Sequence, residues 1–70
     1  MPLAFAPIET ELKVVKVMLD EKTKKHLESL GILTNGKLRV ISNGKDGVVI
    51  LVKETRLALD KNIASKILVA

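Results

Sequence analysis

Residues 48–69 decide the fold: they read Val48-Val-Ile-Leu-Val-Lys-Glu-Thr-Arg-Leu-Ala-Leu-Asp60, followed by Lys61-Asn-Ile-Ala-Ser-Lys-Ile-Leu-Val69. The first five of them are all apolar, which predicts a strand over 48–52 that is covered on both faces. Glu54 and Thr55 then predict a tight connection into a second strand over 56–59. Asp60 is suited to cap a single helical turn that runs to Ala64, and residues 67–69 complete the stretch as a short last strand. Several short strands at this spacing indicate a small closed sheet.

Upstream, residues 20–30 predict one α-helix. Asp20 is suited to the N-cap, because its carboxylate can accept a hydrogen bond from an unpaired backbone N–H. Leu27 and Leu30 form the apolar stripe of this helix. Gly31 predicts a left-handed residue after the helix, and Ile32 is placed to contact Leu27 in a Schellman ending.

Two further strands are expected outside the helix. Residues 11–19 are rich in valine, and their apolar pattern changes phase at Val14 and Val15. A β-bulge near that pair explains the change, and a fully buried stretch is the alternative. Residues 37–42 alternate apolar and charged side chains, as a strand with one buried face does. Residues 43–47, Asn-Gly-Lys-Asp-Gly, predict a hairpin loop. The expected order is therefore strand, helix and four short strands.

Size and composition limit the possibilities. A chain of 70 residues makes a single domain over 1–70, and we expect residues 1–8 to be a loosely ordered or edge segment. The absence of cysteine excludes disulfides and thiolate metal sites. No stretch approaches the ~20 apolar residues of a membrane span. The net charge of +4 is spread along the chain, and Phe5 is the only aromatic residue, so a base-stacking platform for nucleic acid is missing.

The residues that carry common catalytic chemistry are also missing. The Gly44-Lys45 pair lacks the upstream glycine and the following Ser or Thr of a phosphate-binding loop. His26 is the only histidine, and its neighbours at helical spacing are poor metal ligands. No nucleophile, base and acid can be combined into a triad. We therefore expect a protein that is not an enzyme and assign no catalytic, cofactor-binding or metal-binding residue.

Three segments resemble the FeoA family of small proteins of bacterial ferrous iron uptake. Arg56-Leu-Ala-Leu-Asp60 with Ala64 and Ile67 is the strongest match; His26-Leu-Glu-Ser-Leu-Gly31 and Leu38-Arg-Val-Ile-Ser42 are similar to the family's helix ending and second strand. The resemblance implies a mainly β fold, a small SH3-like five-stranded barrel with one α-helix after the first strand. It also implies a cytoplasmic, non-enzymatic accessory protein that docks on an FeoB-like membrane permease with a GTP-binding domain. From the residues themselves we expect no nucleic-acid partner and no insertion into the membrane.

We name Arg56, Lys24 and Lys25 as candidate partner-binding residues. The alternatives for Arg56 are a structural ion pair with Glu54 or Asp60 and plain solvation. The residues expected to hold the fold, several of them carried over from the resemblance, are Leu27, Leu30, Gly31, Ala58 and Ile67.

Two other functions stay open. One is a metal-responsive module similar to the C-terminal domain of iron-dependent repressors, with a transition metal ion such as ferrous iron as its ligand. The other is a small nucleic-acid-binding barrel. Self-association also stays open.

Overall fold

A computed structural model describes the whole chain, residues 1–70, as a mainly β protein. A short 3₁₀ turn, Leu3–Phe5, precedes the strands and helices, which are β1 (Glu11–Val17), α1 (Glu21–Ser29), β2 (Lys37–Asn43), β3 (Gly47–Val52), β4 (Thr55–Asp60), α2 (Lys61–Ala64) and β5 (Ile67–Val69). All neighbouring strands are antiparallel, in the order β4-β3-β2-β1-β5. The predicted SH3-like architecture, five strands with a helix after the first, is confirmed, and α2 is the predicted single helical turn. The expected closure of the sheet is not seen, because β4 and β5 do not pair with each other.

The core lies on the inner face of this sheet. All five strands, α1, α2 and the N-terminal segment contribute to one cluster of 17 buried residues. On β3 the buried positions are Val48, Ile50 and Val52, whereas Val49 and Leu51 are only half-buried. The expectation that residues 48–52 are covered on both faces is therefore wrong, because the second face of β3 meets no other layer.

The two ends of α1 follow the prediction. The Asp20 carboxylate accepts a hydrogen bond from the Thr23 N–H at 3.2 Å and caps the first turn. At the other end Gly31 has φ +105°. Its N–H donates to the Glu28 carbonyl, and the Ile32 N–H donates to the Leu27 carbonyl, both at 3.0 Å. These two bonds are the Schellman pattern.

Two residues expected to be structural are not in the core. Leu30 is 38% exposed, since it is the C-cap of α1 and Leu27 is the only helix residue that is buried. Ala58 is exposed because its register partner is Val49, on the outer face of the sheet. Leu27 on α1 and Ile67 on β5 are both buried in the core.

The β1 bulge is confirmed. The register between β1 and β5 shifts between Val14 and Lys16. Val14 and Val17 are both buried although they are three residues apart, and Val15 between them is 46% exposed. The extra residue lets both valines face the core.

The N-terminal segment is an edge segment and not a loose one. Leu3, Ala4 and Ala6 are buried in the core. Pro2 bridges Leu68, and the Met1 nitrogen donates to the Val69 carbonyl at 2.7 Å. The segment thus covers the outer edge of β5.

Two polar side chains fasten that segment to the barrel. The Asn43 Nδ2 group donates to the carbonyls of Ala4 and Ala6, both at 3.0 Å. Lys61 Nζ donates to the Ala4 carbonyl at 2.9 Å and to Asn43 Oδ1. We call Asn43 and Lys61 the N-terminal clasp. Sequence reasoning missed it, because it assigned Asn43 to a loop and Lys61 to the solvated surface.

Candidate functional site

Arg56 lies in a charged row on the outer face of the sheet. The row crosses four strands in the register Glu11, Arg39, Leu51 and Arg56. Arg39 and Arg56 are exposed and flank the half-buried Leu51. We call these three residues the basic row. Cross-strand neighbours on one face are close enough for a single partner to contact all of them.

Arg56 has no structural partner within the chain. The Asp60 carboxylate caps α2 by accepting a hydrogen bond from the Ile63 N–H at 2.7 Å, and Glu54 lies in the β3–β4 turn. The side-chain hydrogen bonds of the protein do not include Arg56. The alternative of a structural ion pair is therefore not seen. The exposed guanidinium fits both plain solvation and partner binding.

The neighbouring row carries like charges. Lys13 on β1 is directly opposite Lys37 on β2, and both are exposed. Like charges in this position weaken a sheet, so the pair does not stabilise the fold. Together with Arg39 and Arg56, these lysines give the outer face a positive charge that Glu11 offsets only in part.

Lys24 and Lys25 belong to a different surface. Lys24 is half-buried, because it lies one turn before the buried Leu27, and Lys25 is exposed. Leu27 enters the core, which lies on the inner side of the sheet, whereas Arg56 projects from the outer side. The structure does not bring the three candidate residues together. Arg39 and Leu51 are the neighbours of Arg56, and sequence reasoning missed both. The alternating pattern of residues 37–42 predicted that Arg39 is exposed. Only the strand register shows that Arg39 lies beside Leu51.

A shallow groove of about 450 Å³ continues the outer face beyond Leu51. Its lining includes the apolar side chains of Val49 and Ala58 and the charged side chains of Lys45 and Asp60. Ala58 thus contributes an exposed apolar surface next to the basic row. Small apolar patches with charged rims are typical of protein-binding surfaces.

The other polar groups are satisfied locally. No three His, Asp or Glu side chains converge where a metal ion could bind, and His26 is exposed on α1. The hydrogen bond from Thr23 holds the pKa of the Asp20 carboxyl below its usual value. Neither α1 nor α2 has the length and apolar character needed to cross a bilayer.

Comparison with known sequences gives a match along the whole chain. The model of the FeoA domain family matches residues 1–70. The chain is 37% identical over 68 residues to a protein of Methanocaldococcus jannaschii named "Putative Fe(2+) transport protein A". The alignment covers 97% of this chain and 83% of the relative.

Comparison with solved structures gives the same architecture. The crystal structure of an "Iron Uptake Regulatory Protein (FeoA)" superimposes with a TM-score of 0.89 at 23% identity, covering 99% of this chain and 93% of that one. The zinc complex of FeoA from Stenotrophomonas maltophilia, described as a procaryotic SH3 domain protein, has a TM-score of 0.78 at 23% identity, covering 100% of this chain and 89% of that one.

Proposed function

The chain belongs to the FeoA family, which is associated with ferrous iron transport, and on that premise we propose that it is a non-enzymatic accessory protein of Fe²⁺ uptake in the cytoplasm. One observation carries the proposal: the family match extends over residues 1–70, and a relative that is 37% identical is named for Fe²⁺ transport. In this proposal the protein acts by contact with the transport machinery.

The proposed partner is the cytoplasmic part of an FeoB-like permease. The basic row supports this, because Arg39, which lies opposite Glu11, and Arg56 place two exposed cations on either side of Leu51. Arginine beside an apolar side chain is enriched where proteins bind one another. Lys24 and Lys25 on α1 offer a second, separate basic surface. We expect the permease to present acidic side chains to one of these two surfaces.

The test is binding of the purified protein to the cytoplasmic part of its cognate permease, measured by calorimetry. Arg56→Glu tests the basic row, and the double variant Lys24→Glu/Lys25→Glu tests the helix. Reversing a charge at the centre of a docking surface should weaken binding by about tenfold or more. Both sites are exposed at least in part, so the variants should melt like the parent protein.

Matched controls separate a local effect from a change in net charge. Lys66→Glu changes the charge as much as Arg56→Glu, and Lys16→Glu/Lys66→Glu matches the helix double variant; both lysines are exposed. The controls should bind like the parent protein. Equal weakening by control and test variants would show a long-range charge effect and no defined contact.

The two rival functions give different results in the same experiments. If the protein does not bind the permease but the isolated protein binds Fe²⁺ tightly and one to one, the docking hypothesis is contradicted. That result would support the metal-responsive module instead. A salt-dependent gel shift with DNA or RNA would support the nucleic-acid-binding barrel.

A further inference from the structure

The two edges of the sheet differ. At one edge, the outer side of β5 is covered by Met1 and Pro2. At the other edge, β4 (Thr55–Asp60) pairs with β3 and with no other strand. No backbone hydrogen bond outside the regular elements involves residues 55–60. An open edge of this kind is a template for another strand.

The hydrogen-bonding pattern shows which groups point outward from β4. Both backbone groups of Val40 bond towards β1: its N–H donates to the Thr10 carbonyl at 3.1 Å, and its carbonyl accepts from the Glu9 N–H at 2.6 Å. Val40 therefore does not bond to its β3 partner Ile50, whose backbone groups face β4 instead. Ile50 is paired with Leu57, so the bonding groups of Leu57 face β3.

Because these directions alternate along a strand, the N–H and C=O groups of Arg56 and Ala58 and the N–H of Asp60 point to the open edge. The Asp60 carbonyl is excluded, because Asp60 is the N-cap of α2 and its carbonyl belongs to the first helical turn. The side chains of these three residues lie on the outer face, opposite Leu51, Val49 and Gly47. The open edge thus presents a cation, a methyl group and an anion at successive outward positions.

This edge is complementary to itself. If two copies of β4 run antiparallel with Ala58 opposite Ala58, then Arg56 of each copy lies opposite Asp60 of the other. The Ala58 pair then exchanges two backbone hydrogen bonds, and each of the two Arg56–Asp60 pairs adds one, from the Asp60 N–H to the Arg56 carbonyl. Opposite charges at directly facing positions stabilise a strand pair. On the inner face, the half-buried Leu57 lies opposite Leu59 of the second copy.

Other registers lose this match. A shift by one residue would place outward-facing groups opposite inward-facing ones, so no ladder would form. A shift by two residues, with Arg56 opposite Ala58, leaves both charges without a counter-charge. The register centred on Ala58 is the one that satisfies the backbone and the charges together.

From this match we propose that the protein forms a two-fold symmetric dimer in which the β4 strands of two copies pair through residues 56–60. The two sheets then become one continuous sheet, and the contact is isologous, with the same patch on both copies. The inference goes beyond the proposed docking function and does not depend on it. The strand-to-strand contact is small, so the association is weak and depends on concentration.

Analytical ultracentrifugation of the purified protein tests the proposal over about 10 µM to about 1 mM, the range in which small interfaces associate. The apparent mass should rise from the monomer value of 7.7 kDa towards twice that value. In parallel NMR spectra, the amide signals of Arg56, Ala58 and Asp60 should shift with concentration, whereas those of Lys24 and Lys25 should not.

Charge variants identify the register. In Arg56→Asp both charged edge positions are acidic, and in Asp60→Arg both are basic. Each variant alone should therefore have a dimer dissociation constant at least about tenfold higher than that of the parent protein. An equimolar mixture should restore dimerisation, because each variant supplies the counter-charges of the other. Asp60→Arg also removes the cap of α2, and its circular dichroism spectrum therefore serves as a check of folding.

A backbone variant gives an independent check. Ala58→Pro removes an outward-pointing N–H that β3 does not use, so the strand should persist while the dimer is lost. Ala58→Thr keeps that N–H and serves as its control. A protein that stays monomeric at about 1 mM overturns the proposal, since even weak interfaces are populated there. So does a dimer that survives both single charge variants, because that would place the interface elsewhere.

Discussion

Replacement of Gly31 by alanine should destabilise the protein, because two energetic costs combine at this residue. Gly31 has φ +105°, which residues with a Cβ atom rarely adopt. A Cβ built on this residue would also lie 2.8 Å from Val52 Cγ1. Val52 is 1% exposed on β3, so the added methyl group would press into the core.

The size of the effect follows from these two terms. A left-handed conformation costs a residue with a side chain about 1–2 kcal/mol. Forcing a methyl group into a packed core costs about 1–3 kcal/mol. We therefore expect Gly31→Ala to lower the free energy of unfolding by about 2–5 kcal/mol, which is a large part of the total of about 4–10 kcal/mol typical of a domain this small. The melting temperature should fall by about 10 °C or more.

Urea denaturation followed by far-ultraviolet circular dichroism measures the loss directly. Gly44→Ala is the matched control, because the nearest atom to a Cβ there, the Gly47 carbonyl oxygen, is 4.0 Å away and no positive φ is involved. The control should stay within about 0.5 kcal/mol of the parent protein.

A double-mutant cycle separates the two terms. In a Val52→Ala background the close contact is gone, so Gly31→Ala should cost only the backbone term of about 1–2 kcal/mol. If Gly31→Ala changes the stability by less than about 0.5 kcal/mol, the Schellman ending and its contact with β3 are misread.

Three further predictions concern other parts of the fold. Lys53 and Glu54 both have positive φ in the β3–β4 turn, so Lys53→Asn/Glu54→Gly should stabilise the protein by about 1 kcal/mol in a thermal melt, and a loss of stability would contradict the turn geometry. Lys61→Met opens the N-terminal clasp while keeping the aliphatic stem, and urea titration should show a loss of about 1–2 kcal/mol, whereas an unchanged midpoint would mean that the clasp contributes nothing. The pKa of Asp20 is lowered in the fold, so its contribution to stability is complete above its ordinary value of 3.8 and is lost as the pH falls through the lower folded value. The chemical shift of the Thr23 amide should follow this titration, and the step should be absent in Asp20→Asn.

The ends of the helices could be predicted from the sequence because the bonds that define them are local. Asp20 and Asp60 each bond a backbone N–H three residues ahead, and Gly31 completes a helix ending within five residues. The bulge in β1 could also be predicted, because the apolar pattern of the strand changes phase at Val14 and Val15. An extra residue at that point lets the valines on both sides of it face the same core. The family resemblance supplied the barrel and the expected partner class.

Which residues face outward, and which of them are neighbours, was decided only by the tertiary structure. The sequence favoured Leu30 and Ala58 as structural residues, and both are exposed. The neighbours of Arg56 on β3 and β2 follow from pairings across two ladders, and the clasp joins residues 57 positions apart in the chain. Strand register depends on all the side chains of a sheet together with its bulges and turns. A slip of one residue reverses every face, so no short stretch of sequence contains that information.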